Sequence, residues 1–330
     1  MNQTNQTWVT EIFLLGLSDD PQTQRLLFVL FLVVYLGTIL GNLLITSLIL
    51  LDSQLHTPMY FFLCNLSLSD LCFSTTTIPQ TLIHILSSKK SISFTGCAAQ
   101  VLLFLFLEST QCTLLGVMSC DCYLAICDPM HYSLIMTWNV CDLFAIGCWS
   151  SGLVASAVDS TFVLSLPYQG DNKIAHFFCE APALLVLASA DTHRTEMVIF
   201  FVGVVIIVTP LLLILISYMF IIVSVVRMKT VSGRLKAFST CGSHLIVVIL
   251  FYGSAITNYM TPKSSQELGK MISVLYSVIN SMLNPLIYSL RNKDVKKAFR
   301  NAANRIPFFR ICSSHLSLNM TLSHSSNLSL

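Results

Sequence analysis

The chain has 330 residues, of which 54% are hydrophobic and 10% charged, with a formal net charge of +2 and a mean hydropathy of +0.74. A soluble globular domain carries about a quarter charged residues, so this composition excludes one and indicates a membrane protein. Near-neutral charge gives no reason to expect nucleic acid as a partner.

Residues 1–25 are polar and lack a short apolar region followed by a small-residue cleavage site, so no cleavable signal peptide is expected and the first span directs insertion. Asn2-Gln3-Thr4 and Asn5-Gln6-Thr7 are acceptor tripeptides for N-glycosylation. A spanning helix needs about 20 mostly apolar residues. Runs of that kind lie near 26–50, 58–86, 98–127, 140–166, 196–226, 237–261 and 271–290. They predict an all-α membrane protein, a seven-transmembrane helix bundle with a short amphipathic eighth helix over 293–302. Lys296, Lys297 and Arg300 of that helix are expected at lipid headgroups. The expected division is an extracellular N-terminus (1–25), a transmembrane domain (26–292) and a cytoplasmic tail (293–330). After Arg310 the tail has no charge and is dominated by Ser and Leu, so disorder is its default.

Lys and Arg set the orientation. Seven in the final tail and four after the fifth span, Arg227, Lys229, Arg234 and Lys236, fall on one side, against seven on the other. Together with the N-terminal acceptor sites, this bias puts the N-terminus outside.

Asn42, Asp70, Glu108, Gln111, Asp121, Asn280 and Asn284 interrupt the apolar runs. An acid inside a bilayer costs about 2.5–3.5 kcal/mol on insertion scales, so each is expected to face the bundle interior. The amides read best as interhelical hydrogen bonds, and Asp70 and Glu108 as functional. Pro210 and Pro285 remove helical hydrogen bonds and favour kinks in the fifth and seventh spans. There is no inverted repeat and no row of ionisable residues through the spans, which makes a transporter or channel a distant alternative. No catalytic constellation or H-E-x-x-H spacing is visible, so neither an enzyme nor a cofactor is expected.

The stretches "LHTPMYFFLCNLSLSDLCFS" (55–74), "KAFSTCGSHL" (236–245), "FYG" (251–253), "SMLNPLIYSLRN" (281–292) and Gly41-Asn42 resemble the olfactory receptors, a branch of the rhodopsin-class G-protein-coupled receptors. The resemblance covers residues 8–302. It implies a plasma-membrane, multi-pass bundle that binds small volatile molecules from outside and activates a stimulatory G protein inside, raising cyclic AMP. Such a ligand acts only through its differential affinity for the active and inactive bundles. Asn42, Asp70, Asn284, Pro285 and Tyr288 match the family's polar network and seventh-helix motif, which implies switching. Asp121, Tyr123, Tyr218 and Lys236 fall at positions implied to serve switching and coupling.

The resemblance also implies a disulfide between Cys97 and Cys179. The family tends to carry two more cysteines in the second outer loop, in stretches resembling "LPxCG" and "LxCADT". Here "LPYQG" (166–170) and "LASADT" (187–192) place Gln169 and Ser189 there. Without that closure the loop is expected to be more mobile. The remaining cysteines read as small, buried, unpaired hydrophobes.

Phe104, Leu105, Glu108, Ser109 and Cys112 recur at the spacing of one helix face. Placed by the family motifs, this face meets Val202, Ile206, Tyr252, Ala255, Tyr259 and Ser277 in a mainly apolar ligand cavity. Glu108 departs from the family, which tends to have a small residue there and an acid at the position of Gln111. Two readings stand for it: a partner for a polar ligand head or amine, or an acid satisfied by Ser109 and neighbouring helices.

Where the family resembles "MAYDRYVAIC", this chain reads "MSCDCYLAIC" (118–127), with Cys122 in place of arginine. That arginine is implied to anchor the G protein and to pair with the neighbouring acid. A thiol has no permanent charge and no five-donor fork, so Asp121 is expected to lose its local partner. The first reading is an odorant receptor with weakened coupling. The second is a ligand-binding receptor that does not signal, or a relic. The third, metal or redox chemistry at Cys120, Cys122 and Cys127, lacks a second cysteine pair or histidine cluster to complete a metal site.

Overall fold

The computed structural model describes residues 9–18, 20–87, 90–169, 172–260 and 273–305. Asn2, Asn5, the tail beyond Arg305 and the side chains of Lys236 and Tyr259 lie outside these. Helix α1 (Pro21–Leu51) starts where Asp20 Oδ2 accepts from Thr23 N at 2.8 Å, with Pro21 in the first turn, where a missing N–H costs nothing. It is followed by α2 (Pro58–Leu86), α3 (Phe94–Cys127), the single turn α4 (Tyr132–Ile135), α5 (Trp138–Leu164) and α6 (Ala181–Leu187). Then come α7 (His193–Gly203), a wide π turn (Val204–Val208), α8 (Thr209–Arg227) and α9 (Val231–Met260). A second π turn (Leu275–Ile279) leads into α10 (Asn280–Arg291), and α11 (Lys293–Arg305) closes the described chain.

Among the described residues, α1, α2, α3, α5 and the continuous His193–Arg227 stretch are long and apolar enough to cross a membrane, and Cys241–Thr257 is a shorter apolar helix. The seventh predicted span, 271–290, starts outside the described residues, and its described part runs through the second π turn into α10. Helix α3 begins at Phe94 rather than 98 because Ser93 Oγ caps it, accepting from Gly96 N at 3.1 Å. Helix α9 runs from Val231, six residues ahead of its apolar run, because hydropathy does not register its polar first turns. In α11, Val295 and Ala298 are buried while Lys296, Lys297 and Arg300 are exposed, as an amphipathic helix requires.

Helix α3 packs against α2, α5, α8 and α9. Three glycines permit close approaches in this bundle. A Cβ on Gly152 of α5 would collide with Thr110 Oγ1 and stand 2.9 Å from the Phe106 carbonyl oxygen, both on α3. Cβ atoms on Gly116 and Gly41 would stand 3.0 and 2.9 Å from the rings of Pro210 and Pro285. Both prolines therefore lie where a neighbouring helix lacks a side chain.

The sequence does not anticipate a sheet. Glu11–Leu14 forms strand β1, between β2 (Ser91–Ser93) and β3 (Lys173–Ile174). β1 runs antiparallel to β2 with Ile12 opposite Ile92, and parallel to β3 with Leu14 opposite Ile174. Ile12 and Leu14 are both 1% exposed, so the N-terminal segment is a packed part of this end of the bundle. In the following loop, the gap expected to be open is closed by hydrogen bonds. Ser189 Oγ accepts from Gln169 N and donates to Gln169 O, each at 3.0 Å, beside a bridge between Tyr168 and Ala188.

Gly152→Ala is expected to cost about 1–3 kcal/mol by overpacking the α3–α5 contact, read as a lower melting temperature of the detergent-solubilised protein. Replacing Gln169 and Ser189, twenty residues apart, by cysteines is expected to form a second disulfide worth up to about 3 kcal/mol. An unchanged reducing/non-reducing melting difference would count against this.

Candidate functional site

At one end of the bundle Cys97, in the first turn of α3, is disulfide-bonded to Cys179 with a Cα–Cα distance of 5.5 Å. One turn further, Gln100 fastens that loop on two sides. Its Oε1 accepts from Cys179 N at 2.9 Å, while its Nε2 donates to Thr76 O at 2.9 Å and Gln80 Oε1 at 3.2 Å. The loop is thereby held with the ring of Phe178 5.1 Å from Phe104, which in turn lies 4.9 Å from Phe73 of α2. Phe104 thus makes ring contacts with the loop and α2. His176 Nε2 and Glu180 Oε1, both buried, lie 3.4 Å apart in the same loop.

The rest of the expected ligand face divides. Cys112, Ile206 and Tyr252 share one buried cluster, with half-buried Val202 against it, and the Tyr252 hydroxyl donates to the Cys112 carbonyl at 2.9 Å. Phe104 and Leu105 belong to the other cluster, at the disulfide end. Glu108, Ala255 and Ser277 are buried and Ser109 is half-buried. Glu108 acts electrostatically on the Cys112 thiol one turn on. A cleft opens at the disulfide end, between β1, α1 and α2, where Leu14, Leu27, Ile85 and Phe177 meet His84 and Lys90.

Toward the middle, Asp70 is 1% exposed and its carboxylate accepts from Asn284 Nδ2 at 2.8 Å and Gln111 Nε2 at 3.1 Å. Two amide donors therefore answer the acid, joining α2, α3 and α10. Pro285 has no N–H for the Ser281 carbonyl one turn back; that oxygen accepts instead from Asn42 Nδ2 at 3.1 Å. Asn280 Nδ2 donates to Ser254 Oγ at 3.1 Å. These amides bond across helices, as the sequence suggests.

At the opposite end Asp121 is 2% exposed, and here one expectation is corrected. Its carboxylate has a local partner: the Tyr132 hydroxyl of α4 donates to Oδ1 at 2.8 Å. Burial and then the charge of Asp121 push the Tyr132 phenol well above its ordinary pKa, so it remains a proton donor. Cys122 is also buried, in the same cluster as Cys241 of α9. Beside them the Tyr218 hydroxyl of α8 lies 2.8 Å from both the Cys241 carbonyl and His244 Nδ1. His244 Nε2 reaches the Leu115 carbonyl of α3 at 3.1 Å. With the Nε2 proton donated to Leu115, Nδ1 is an acceptor and the single Tyr218 proton is shared between it and Cys241 O. The ring of Tyr123 lies 5.8 Å from Phe220, and Tyr288 is buried. The cysteines are not uniformly buried: Cys112, Cys122, Cys141, Cys148 and Cys241 are, whereas Cys72 is exposed.

Sequence reasoning missed four of these residues. His244 lies within a quoted family motif and Tyr132 eleven residues beyond Asp121, which were available signals. Gln100 and Asp159 carry none. Asp159 of α5 is buried, and its Oδ1 has no hydrogen-bond partner among the described residues.

Tyr132→Phe strands the buried Asp121 oxygen and is expected to cost about 1–3 kcal/mol, read from thermal unfolding. In an Asp121→Ala background the same change is expected to cost much less, so additive effects would deny the pairing.

The family model for olfactory receptors matches residues 31–304. Human olfactory receptor 2D2 is 65% identical over 305 residues, covering 92% of this chain and 99% of that protein. The human putative olfactory receptor 2B3 is 50% identical over 310 residues, covering 93% and 99%. The human olfactory receptor 2G3 is 49% identical over 302 residues, covering 91% and 98%. With its buried polar network and disulfide-tethered loop, the chain belongs to the olfactory receptor family.

Proposed function

We propose that this chain is an odorant receptor that binds small volatile molecules within the disulfide half of its bundle and signals through a stimulatory G protein, with coupling weakened at Cys122. As a family member it is a multi-pass plasma-membrane receptor and not an enzyme. The orientation proposed has the N-terminus, residues 1–25, outside and residues 293–330 in the cytosol. Supporting it are the Lys and Arg bias and the Cys97–Cys179 bond, which suits an oxidising compartment.

The proposed ligand site is centred on Glu108, with Phe104, Leu105, Ser109, Cys112, Ile206 and Tyr252 around it. Because Tyr252 and Cys112 are bonded to each other, a ligand that presses between them changes the α3–α9 contact, the differential interaction a population shift needs. Asp70, Asn284 and Asn42 form the proposed interior switch.

The observation that carries the weakened coupling is the state of Cys122. At the position of the family's arginine stands a buried thiol, and Asp121 is occupied by Tyr132. The G protein therefore meets no guanidinium fork from this position. The same observation favours a second reading, a receptor that binds ligand without signalling.

Two measurements separate these. In cells matched for surface staining, an odorant panel is expected to give a weak cyclic AMP response in the native chain and a larger one in Cys122→Arg. Silence of the native chain beside a responding arginine variant would establish the second reading. Glu108→Gln is expected to reorder the ligand ranking, with amines losing most; an unchanged ranking would remove Glu108 from the site.

A further inference from the structure

The loop that the disulfide ties to α3 is also held through its backbone from three sides. The His176 carbonyl accepts from Gly16 N, just beyond β1, at 3.1 Å, and the Phe177 carbonyl accepts from Thr81 Oγ1 of α2 at 3.4 Å. Cys179 N donates to Gln100 Oε1 of α3 at 2.9 Å, the shortest of the three bonds. Phe178 stands between the last two points, 1% exposed, with its ring 5.1 Å from that of Phe104. A disulfide joins two chains through a run of single bonds, so it limits the distance of Cys179 from α3 without orienting its peptide. The Gln100 bond supplies that orientation. Gln100 is itself 4% exposed, and its Nε2 donates to Thr76 O and Gln80 Oε1 of α2 at 2.9 and 3.2 Å. An amide suits the position because it accepts at one end and donates at the other.

We propose that Gln100 is a specificity-determining positioning residue: by fixing the Cys179 peptide it aims the Phe178 ring at Phe104, and so sets how large a ligand the disulfide end of the site admits. It acts through Phe178, not by touching the ligand. The proposal rests on the reading that odorants bind around Glu108, one helical turn from Phe104. With the Gln100 amide removed, the buried Cys179 N–H loses its acceptor and the Phe178 ring can turn aside. Bulky ligands then gain room and small ones lose a contact.

The test uses the full-length receptor, native and with Gln100→Met, which keeps the length of the side chain and removes both ends of the amide. Gln80→Leu is the control, since it removes one partner on α2 and leaves the loop bond. Hydrogen exchange by mass spectrometry is expected to be roughly 5- to 150-fold faster over 176–180 in Gln100→Met and unchanged in Gln80→Leu, with the Cys97–Cys179 bond intact in both. A panel of straight-chain and branched alcohols and amines is then ranked by the rise in melting temperature each produces in detergent-solubilised receptor, a readout that requires no G protein. The ranking is expected to shift toward bulkier members in Gln100→Met and in Phe178→Ala, and to hold in Gln80→Leu. Unchanged exchange over 176–180, or equal effects from Gln80→Leu, would overturn the positioning role. A ranking moved by Phe178→Ala but not by Gln100→Met would overturn the specificity role and leave the ligand site in place. A ranking that neither these variants nor Glu108→Gln moves would remove the ligand site itself, and the specificity role with it.

Discussion

The polar groups that α3 carries into the bundle interior must find partners there, because hydrocarbon offers none. Along this helix Gln100, Glu108, Gln111 and Asp121 are all buried, as are the Cys112 and Leu115 carbonyls that accept from α9. Gln100 reaches α2 and the loop before α6, Gln111 reaches α2, and Asp121 reaches α4. Each such bond contributes on average about 0.6 kcal/mol inside a membrane. Their weight lies in the register they enforce, since leaving a partner buried and unsatisfied costs about 1–3 kcal/mol. Glycines then admit the backbones that this register brings together.

The prolines work within the same constraint. Pro285 leaves the Ser281 carbonyl without its helical donor and Asn42 supplies one, so the kinked span is fastened to α1 at its weak point. Pro210 follows a π turn, in which Thr209 N reaches back to Val204 O, and its ring packs on Gly116 of α3. Both breaks are therefore supported by neighbouring helices. Those neighbours also carry the proposed ligand face and the polar network.

Hydropathy made the spans legible to within a few residues, because twenty consecutive apolar side chains have no other stable disposition. It could not place the ends, where a single cap such as Ser93 or Asp20 decides. The sheet was invisible, since a four-residue strand draws its stability from segments 80 and 160 residues away in sequence. Helical spacing put Phe104 and Cys112 on one face but could not show the contacts of Phe104 with Phe73 of α2 and with Phe178. The absence of arginine at 122 was plain in the sequence. That Asp121 would be answered by Tyr132 depended on how a loop packs.

At the end of the bundle away from the disulfide, α3 and α9 meet through His244 on the Leu115 carbonyl, with Tyr218 of α8 bracing His244 and the Cys241 carbonyl. The central claim is that this junction, without a guanidinium, holds α9 against α3. Hydrogen exchange by mass spectrometry on the native chain and His244→Phe tests it directly. Loss of about 1–3 kcal/mol at the junction predicts roughly 5- to 150-fold faster exchange over 237–248 and 115–125, with the Cys97–Cys179 end unchanged. Equal protection of those segments in the two proteins would contradict it.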